Sequence, residues 1–133
     1  MIHLCITKKR KDMNAVNWFE IPTSDLERAK KFYDAVFDLN MQYMDSGESK
    51  MYMFVGDTDG AGSVGAIFHH PNHKPSKVGT VVYFSTKDTE TEVNKVEANG
   101  GSIVFGKTSI GPFGFIAQVI DSEGNRIGIH SEK

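Results

Sequence analysis

Phe115-Ile116-Ala117-Gln118-Val119-Ile120-Asp121-Ser122-Glu123-Gly124-Asn125-Arg126-Ile127-Gly128-Ile129-His130 reads as strand, tight turn, strand. Two apolar runs flank a cluster of turn formers, Asp121 to Asn125. The second run alternates, with Ile127 and Ile129 on one face and Arg126, Gly128 and His130 on the other. A weaker copy runs from Thr58 to Phe68. Gly65 and Gly128 stand 63 residues apart, and the same offset places Asp25 on Asp88, where two helices are expected to begin. The chain therefore reads as two copies of one module.

Length and composition narrow the class. At 133 residues the chain holds one compact domain or two half-domains sharing a core. The net charge is −2, without a long basic run, so no nucleic-acid partner is expected. Cys5 is the single cysteine, which excludes an intramolecular disulfide and suits a reducing compartment. Met1 to Ile6 is too short for a signal-peptide core, and the basic residues Lys8 to Lys11 follow it instead of preceding it. No apolar run is long enough to span a membrane. A cytoplasmic location is the expectation.

Residues 1–12 fall outside the repeat, as an added edge strand or the product of an upstream start. The first module covers 13–70. Val16 to Ile21 alternates, and Pro22, which has no N–H to donate, ends that strand. Ser24 and Glu27 have capping-box spacing for a helix running to about Phe37, with Leu26, Ala29, Phe32 or Tyr33, Val36 and Phe37 as its apolar stripe. Strands follow near 39–44, 51–55 and 63–69. Residues 71–78, with two prolines, form the linker. The second module, 79–133, repeats the order. Its first strand spans 79–85, and Asp88 or Thr89 caps a helix to about Ala98, with Thr89 and Glu92 as a second capping box. Asn99-Gly100-Gly101 stops that helix, and strands follow near 102–106, 113–120 and 126–131.

The expected fold is α+β: two βαβββ modules forming an eight-stranded, incompletely closed barrel. Phe19, Ile21, Val64, Ala66 and Phe68 should pack under the first helix. Val82, Phe84, Ile127 and Ile129 should pack under the second. The opposite face then carries Trp18, Glu20, Ser63, Gly65, Ile67 and His69 in one module. In the other it carries Val81, Tyr83, Arg126, Gly128 and His130. Such a mixed face, with no helix left to cover it, suits a ligand cup better than a wet sheet face or a dimer interface.

Phe19-Glu20-Ile21-Pro22-Thr23-Ser24-Asp25-Leu26-Glu27-Arg28-Ala29-Lys30-Lys31-Phe32-Tyr33 resembles the opening of the vicinal-oxygen-chelate superfamily. That superfamily groups glyoxalase I, bleomycin-resistance proteins, extradiol dioxygenases and fosfomycin-resistance enzymes. Asp121-Ser122-Glu123-Gly124-Asn125 resembles its Asp-Pro-x-Gly-Asn signature, with Ser122 in place of proline. The resemblance spans about residues 14 to 131 and implies the fold. It leaves function open, because lyases, isomerases, dioxygenases, transferases and binders share one scaffold.

Metal-dependent members place one ligand on the first and last strand of each module. The resemblance puts these positions at Trp18, Gly65, Val81 and Gly128, and none offers a lone pair to a divalent ion. No metal cofactor is therefore expected. The expected function is binding of a small organic metabolite or drug in the cup. The ligand-lining set is Trp18, Ser63, Gly65, Ile67, His69, Val81, Arg126 and Gly128. The alternative is a lyase or isomerase related to glyoxalase I, using Glu20, Tyr83 and His130 for proton transfer or a relocated metal. Glu20 could instead simply satisfy His130 or Tyr83 by hydrogen bonding. His69-His70-x-x-His73 lacks the helix that would place two histidines on one face, and reads as surface loop. Unpaired strand edges and an exposed cup rim point to a homodimer.

Overall fold

The computed structural model describes residues 14–45, 47, 49–56 and 62–133. The N-terminal extension, with Cys5, and the whole Asp57–Gly60 turn lie outside the described residues. The first half runs β1 (Trp18–Pro22), α1 (Leu26–Phe37), β2 (Gln42–Asp45), β3 (Lys50–Met53) and β4 (Val64–His69). The second runs β5 (Tyr83–Ser85), α2 (Thr89–Val96), β6 (Ser102–Ser109), β7 (Phe115–Ile120) and β8 (Arg126–Ser131). Each half is a four-stranded sheet, in the orders β1-β4-β3-β2 and β5-β8-β7-β6, and among the described residues no strand ladder joins the two. In both, the crossover helix returns the chain to a parallel pair, β1 with β4 and β5 with β8.

Both helices start at the aspartates that mark the repeat. The Asp25 carboxylate accepts from the N–H of Arg28, and that of Asp88 from the N–H of Glu90. The expected capping boxes do not form. Ser24 sits one residue too early, and its N–H is taken by Glu123. Thr89 bonds instead to Ser131, and Glu92 accepts from Thr86. α1 buries Ala29, Phe32, Tyr33 and Val36, an i, i+3, i+4, i+7 stripe, so both Phe32 and Tyr33 face inward. It ends at Asp38, whose φ of 55° breaks the helical repeat. α2 gives way to a tight turn over Glu97–Asn99 and then Gly100 at φ 96°.

One core serves both halves. Ile21, Ile67 and the inner face of α1 join Val93, Val96, Ala117, Val119, Ile127 and Ile129 in a single buried cluster. The helices pack against each other. Phe84 carries the second half into the first. Its ring stacks on Phe37 at 4.6 Å and meets Phe54 at 5.2 Å and Phe19 at 5.8 Å.

The β7–β8 turn locks the halves together. The Asp121 carboxylate accepts from the buried Tyr33 hydroxyl of α1 at 2.5 Å and from the backbone N–H groups of Glu123 and Asn125. Burial and the facing Asp121 charge hold the Tyr33 phenol well above its ordinary value, so it stays a donor. Asn125 donates to Pro22 O at the end of β1 and accepts from Ser76 N–H in the linker. The signature turn is thus a clamp across the repeat.

The register corrects the expected face of β4. Phe19 pairs with Gly65 and Ile21 with Ile67, while Glu20 pairs with Ala66 and Pro22 with Phe68. Paired residues share a face, so Gly65, Ile67 and His69 lie on the helix-covered side. Ala66 and Phe68 lie on the open side, against Met51 and Met53. In the second half Tyr83 pairs with Gly128 and Phe84 with Ile129, as the alternation there requires. Ile21 and Phe84 are 63 residues apart, whereas Ile67 and Ile129 are 62 apart. The repeat offset falls by one before the last strand, so Gly128 matches Ala66 and not Gly65. A slip of one residue turns every side chain of a strand over.

Candidate functional site

A wide cleft opens at the seam between the two sheets, beside the edge strands β1 and β5. Its volume is about 1060 Å³. One wall carries Val16, Trp18, Glu20, Ser63 and Val64, and the facing wall Val81, Tyr83, Ser85 and Lys87. The floor reaches the shared core at Phe37, Leu39, Phe54, Phe84 and Glu92. A smaller cleft of about 210 Å³ lies along the same seam, with Glu20, Ser76, Val78 and Arg126 among its residues. Glu20 therefore borders both. Its carboxylate accepts from the Trp18 indole N–H at 3.1 Å, which fixes the indole beside the seam.

The structure gathers some expected site residues and disperses others. Trp18, Glu20, Ser63, Val81 and Tyr83 line the large cleft. Ile67 is fully buried under α1. A side chain on Gly65 would meet the Phe19 ring, so no floor space exists there. His69 bonds to Thr23 O through Nδ1 at 2.9 Å, which makes Nδ1 the protonated nitrogen because a carbonyl only accepts. The space over Gly128 is likewise filled, by the Tyr83 ring. His130 donates from Nε2 to Phe113 O at 2.7 Å and borders a different opening, with Ser131 and Glu132. Glu20, Tyr83 and His130 share no hydrogen bond and no common cleft.

Tyr83 belongs to a directed polar chain. Arg126 Nε donates to Lys77 O, and its Nη1 donates to Gln118 Oε1 at 3.0 Å. Arginine only donates, so Gln118 must present its oxygen to Arg126 and its amide N–H₂ to Tyr83. The Gln118 amide meets the Tyr83 hydroxyl at 2.7 Å. The tyrosine oxygen therefore accepts, and its own proton is left for another acceptor. Gln118 escaped the expected site, although one polar residue in the apolar run Phe115 to Ile120 was its signal. Glu92 escaped too, because it read only as a capping-box partner of Thr89.

The residues present do not fit the superfamily's metal. With the register corrected, the four positions are Trp18, Ala66 and Gly128 on strands and Val81 just before β5. Indole, methyl, isopropyl and hydrogen supply no ligand. Among the described residues no three His, Cys, Asp or Glu side chains converge on a point that could hold an ion.

The sequence matches the model of the Glyoxalase/Bleomycin resistance protein/Dioxygenase superfamily over residues 15–129. A glyoxylase-like domain-containing protein of Didymella fabae is 32% identical over 120 residues, covering 83% of this chain and 88% of that one. CFP32 of Mycobacterium tuberculosis, provisionally named a glyoxylase, is 28% identical over 85% of this chain, which spans 44% of its length. Among solved structures, the antibiotic-binding protein TnmS3 of Streptomyces sp. CB03234 superposes with a TM-score of 0.67 at 20% identity, over 98% of this chain and 100% of that one. Glyoxalase I of Zea mays superposes with a TM-score of 0.65 at 18% identity, over 86% of this chain and 45% of that one. No helix among the described residues is long and apolar enough to cross a membrane. With the family match spanning most of its length and the same fold in these structures, the chain belongs to the glyoxalase, bleomycin resistance protein and dioxygenase superfamily.

Proposed function

We propose that the protein binds a small, largely apolar organic molecule, a metabolite or drug, in the seam cleft without a metal ion. The cleft carries this reading. Its volume of about 1060 Å³ is of the size that small-molecule sites reach, and aromatic and aliphatic walls surround a few polar groups. The missing donor set at the four positions supports the metal-free part. An antibiotic-binding protein of the same fold, matching over its full length, supports the binding class.

Trp18 is the single tryptophan, so its emission reports on the cleft directly. A panel of metabolites and antibiotics titrated into protein dialysed against chelator should contain ligands that shift this emission. Trp18→Ala should weaken their binding by about 1–3 kcal/mol, as for a lost aromatic contact at a binding centre, and leave the fold intact. The residue is 39% exposed and stands outside the shared core, so unfolding of the variant would contradict the reading. Ligands that bind only after metal is restored would contradict it as well. Should the cleft turn a bound molecule over, Glu20→Gln is the discriminating variant, since it keeps shape and loses the proton acceptor.

Among the described residues no helix covers the open face of the first sheet, where Trp18 and Met44 are exposed. Together with the free edge of β1 it supports a homodimer. Light scattering at micromolar concentration should give twice the chain mass, and the chain mass itself would count against this assembly.

A further inference from the structure

Resting on the cleft as a ligand site, we infer that Glu92 anchors a protonated amine on an otherwise apolar ligand. Glu92 is 9% exposed and lies on the inner face of α2 with Thr89, Val93 and Val96. One carboxylate oxygen accepts from the Thr86 hydroxyl at 2.5 Å. No cation among the described residues forms an ion pair with it. The ion pairs among the described residues are Arg28–Glu123, Lys30–Asp34 and Lys107–Asp88, and Lys87 at the rim makes none with it. Its one side-chain donor is the Thr86 hydroxyl, so a ligand ammonium in the cleft would add a charge-assisted hydrogen bond to the carboxylate. The same residue lines the cleft whose apolar lining includes Phe37 and Phe84. Glu20, the other carboxylate in the lining of the cleft, is exposed and already accepts from the Trp18 indole N–H. A largely apolar cleft with this carboxylate in its lining selects a hydrophobic organic cation over a neutral or acidic molecule of the same shape.

Two probes of matched shape test this: 2-naphthylmethylamine, protonated at neutral pH, and 2-naphthalenemethanol. Ligand-observed NMR titration of the full chain should show the amine binding at least about tenfold tighter, the range of one hydrogen bond to a charged group. Glu92→Gln should remove that advantage and leave the alcohol affinity unchanged, while Glu20→Gln should preserve it. In the wild-type protein the aminomethyl protons should show a nuclear Overhauser contact to the Glu92 side chain, a readout that does not depend on the variant folding. Equal binding of the two probes, or a preference for the amine that survives Glu92→Gln, overturns the inference and leaves the cleft as a binding site. Failure of both probes to bind wild-type protein overturns the cleft reading and this inference together. Loss of amine preference in Glu20→Gln alone moves the anchor to Glu20 and overturns the assignment to Glu92.

Discussion

Glu123→Ala is expected to lower the unfolding free energy by about 3 kcal/mol, the scale for removing one partner of an enclosed, charge-assisted network. The Glu123 side chain is fully enclosed although it belongs to a turn. Its carboxylate accepts from the backbone N–H groups of Ser24 and Asp25 at 3.0 and 2.8 Å. It also accepts from Arg28 Nε and Nη2 at 2.7 and 3.0 Å, and from the Ser122 hydroxyl. These donors open α1 in the first half, while Glu123 belongs to the second, so the alanine unfastens the two modules. Arg28 is half exposed and recovers water, which keeps the loss below that of a wholly buried pair. Urea titration should show a lower midpoint with an unchanged slope. A midpoint within error of wild type would mean the turn does not clamp the halves.

The same carboxylate has a pH signature. Burial pushes the Glu123 carboxyl up, but hydrogen bonds from Arg28, Asp25 N–H and Ser122, with the Arg28 charge, outweigh it and leave it below the ordinary glutamate range. A carboxylate depressed on folding contributes stability that is complete above its unfolded value of about 4.3. That contribution is lost as pH falls through the folded value. Wild-type protein should therefore lose stability in acid below about pH 4 more steeply than Glu123→Gln, which has no carboxylate to protonate.

Gly65→Ala is expected to cost about 2–3 kcal/mol, the upper range for overpacking, because the added methyl has nowhere to go. A β-carbon there would lie 2.3 Å from the backbone oxygen of Phe19 and 2.7 Å from its ring. Phe19 belongs to the neighbouring strand β1, and its ring packs on Phe54 and Phe84 in the shared core. Relief requires moving a backbone or three rings. Gly106→Ala is the control, because a β-carbon there meets nothing within 4 Å. Its stability should change by less than about 0.5 kcal/mol. Were Gly65 on the open face with space above it, both substitutions would be equally mild, so thermal denaturation of the pair decides between the two registers.

Much of this protein was legible in its sequence because the signals were local. Alternation in β1, β5 and β8, the stripe of α1, the two aspartates at the helix starts and the Asp-x-x-Gly-Asn turn each act within a few residues. Together they determined the repeated module, the α+β class and the absence of ligating side chains at Trp18, Val81 and Gly128. What escaped was non-local. The face of β4 depends on which residue of β1 it pairs with, and two glycines aligned by eye carry no side chain to report a slip. Gly65 consequently read as cup floor and proved to be the bed of Phe19. Glu20, Tyr83 and His130 share the strand phase that suggested a cup, yet phase does not set distance. The seam between the sheets takes the first two, and His130 turns to Phe113. Glu123 read only as part of a turn and Glu92 only as a capping-box partner of Thr89, because sequence shows a residue's neighbours along the chain. Only the packing of one module on the other encloses the first in a clamp and turns the second toward the cleft.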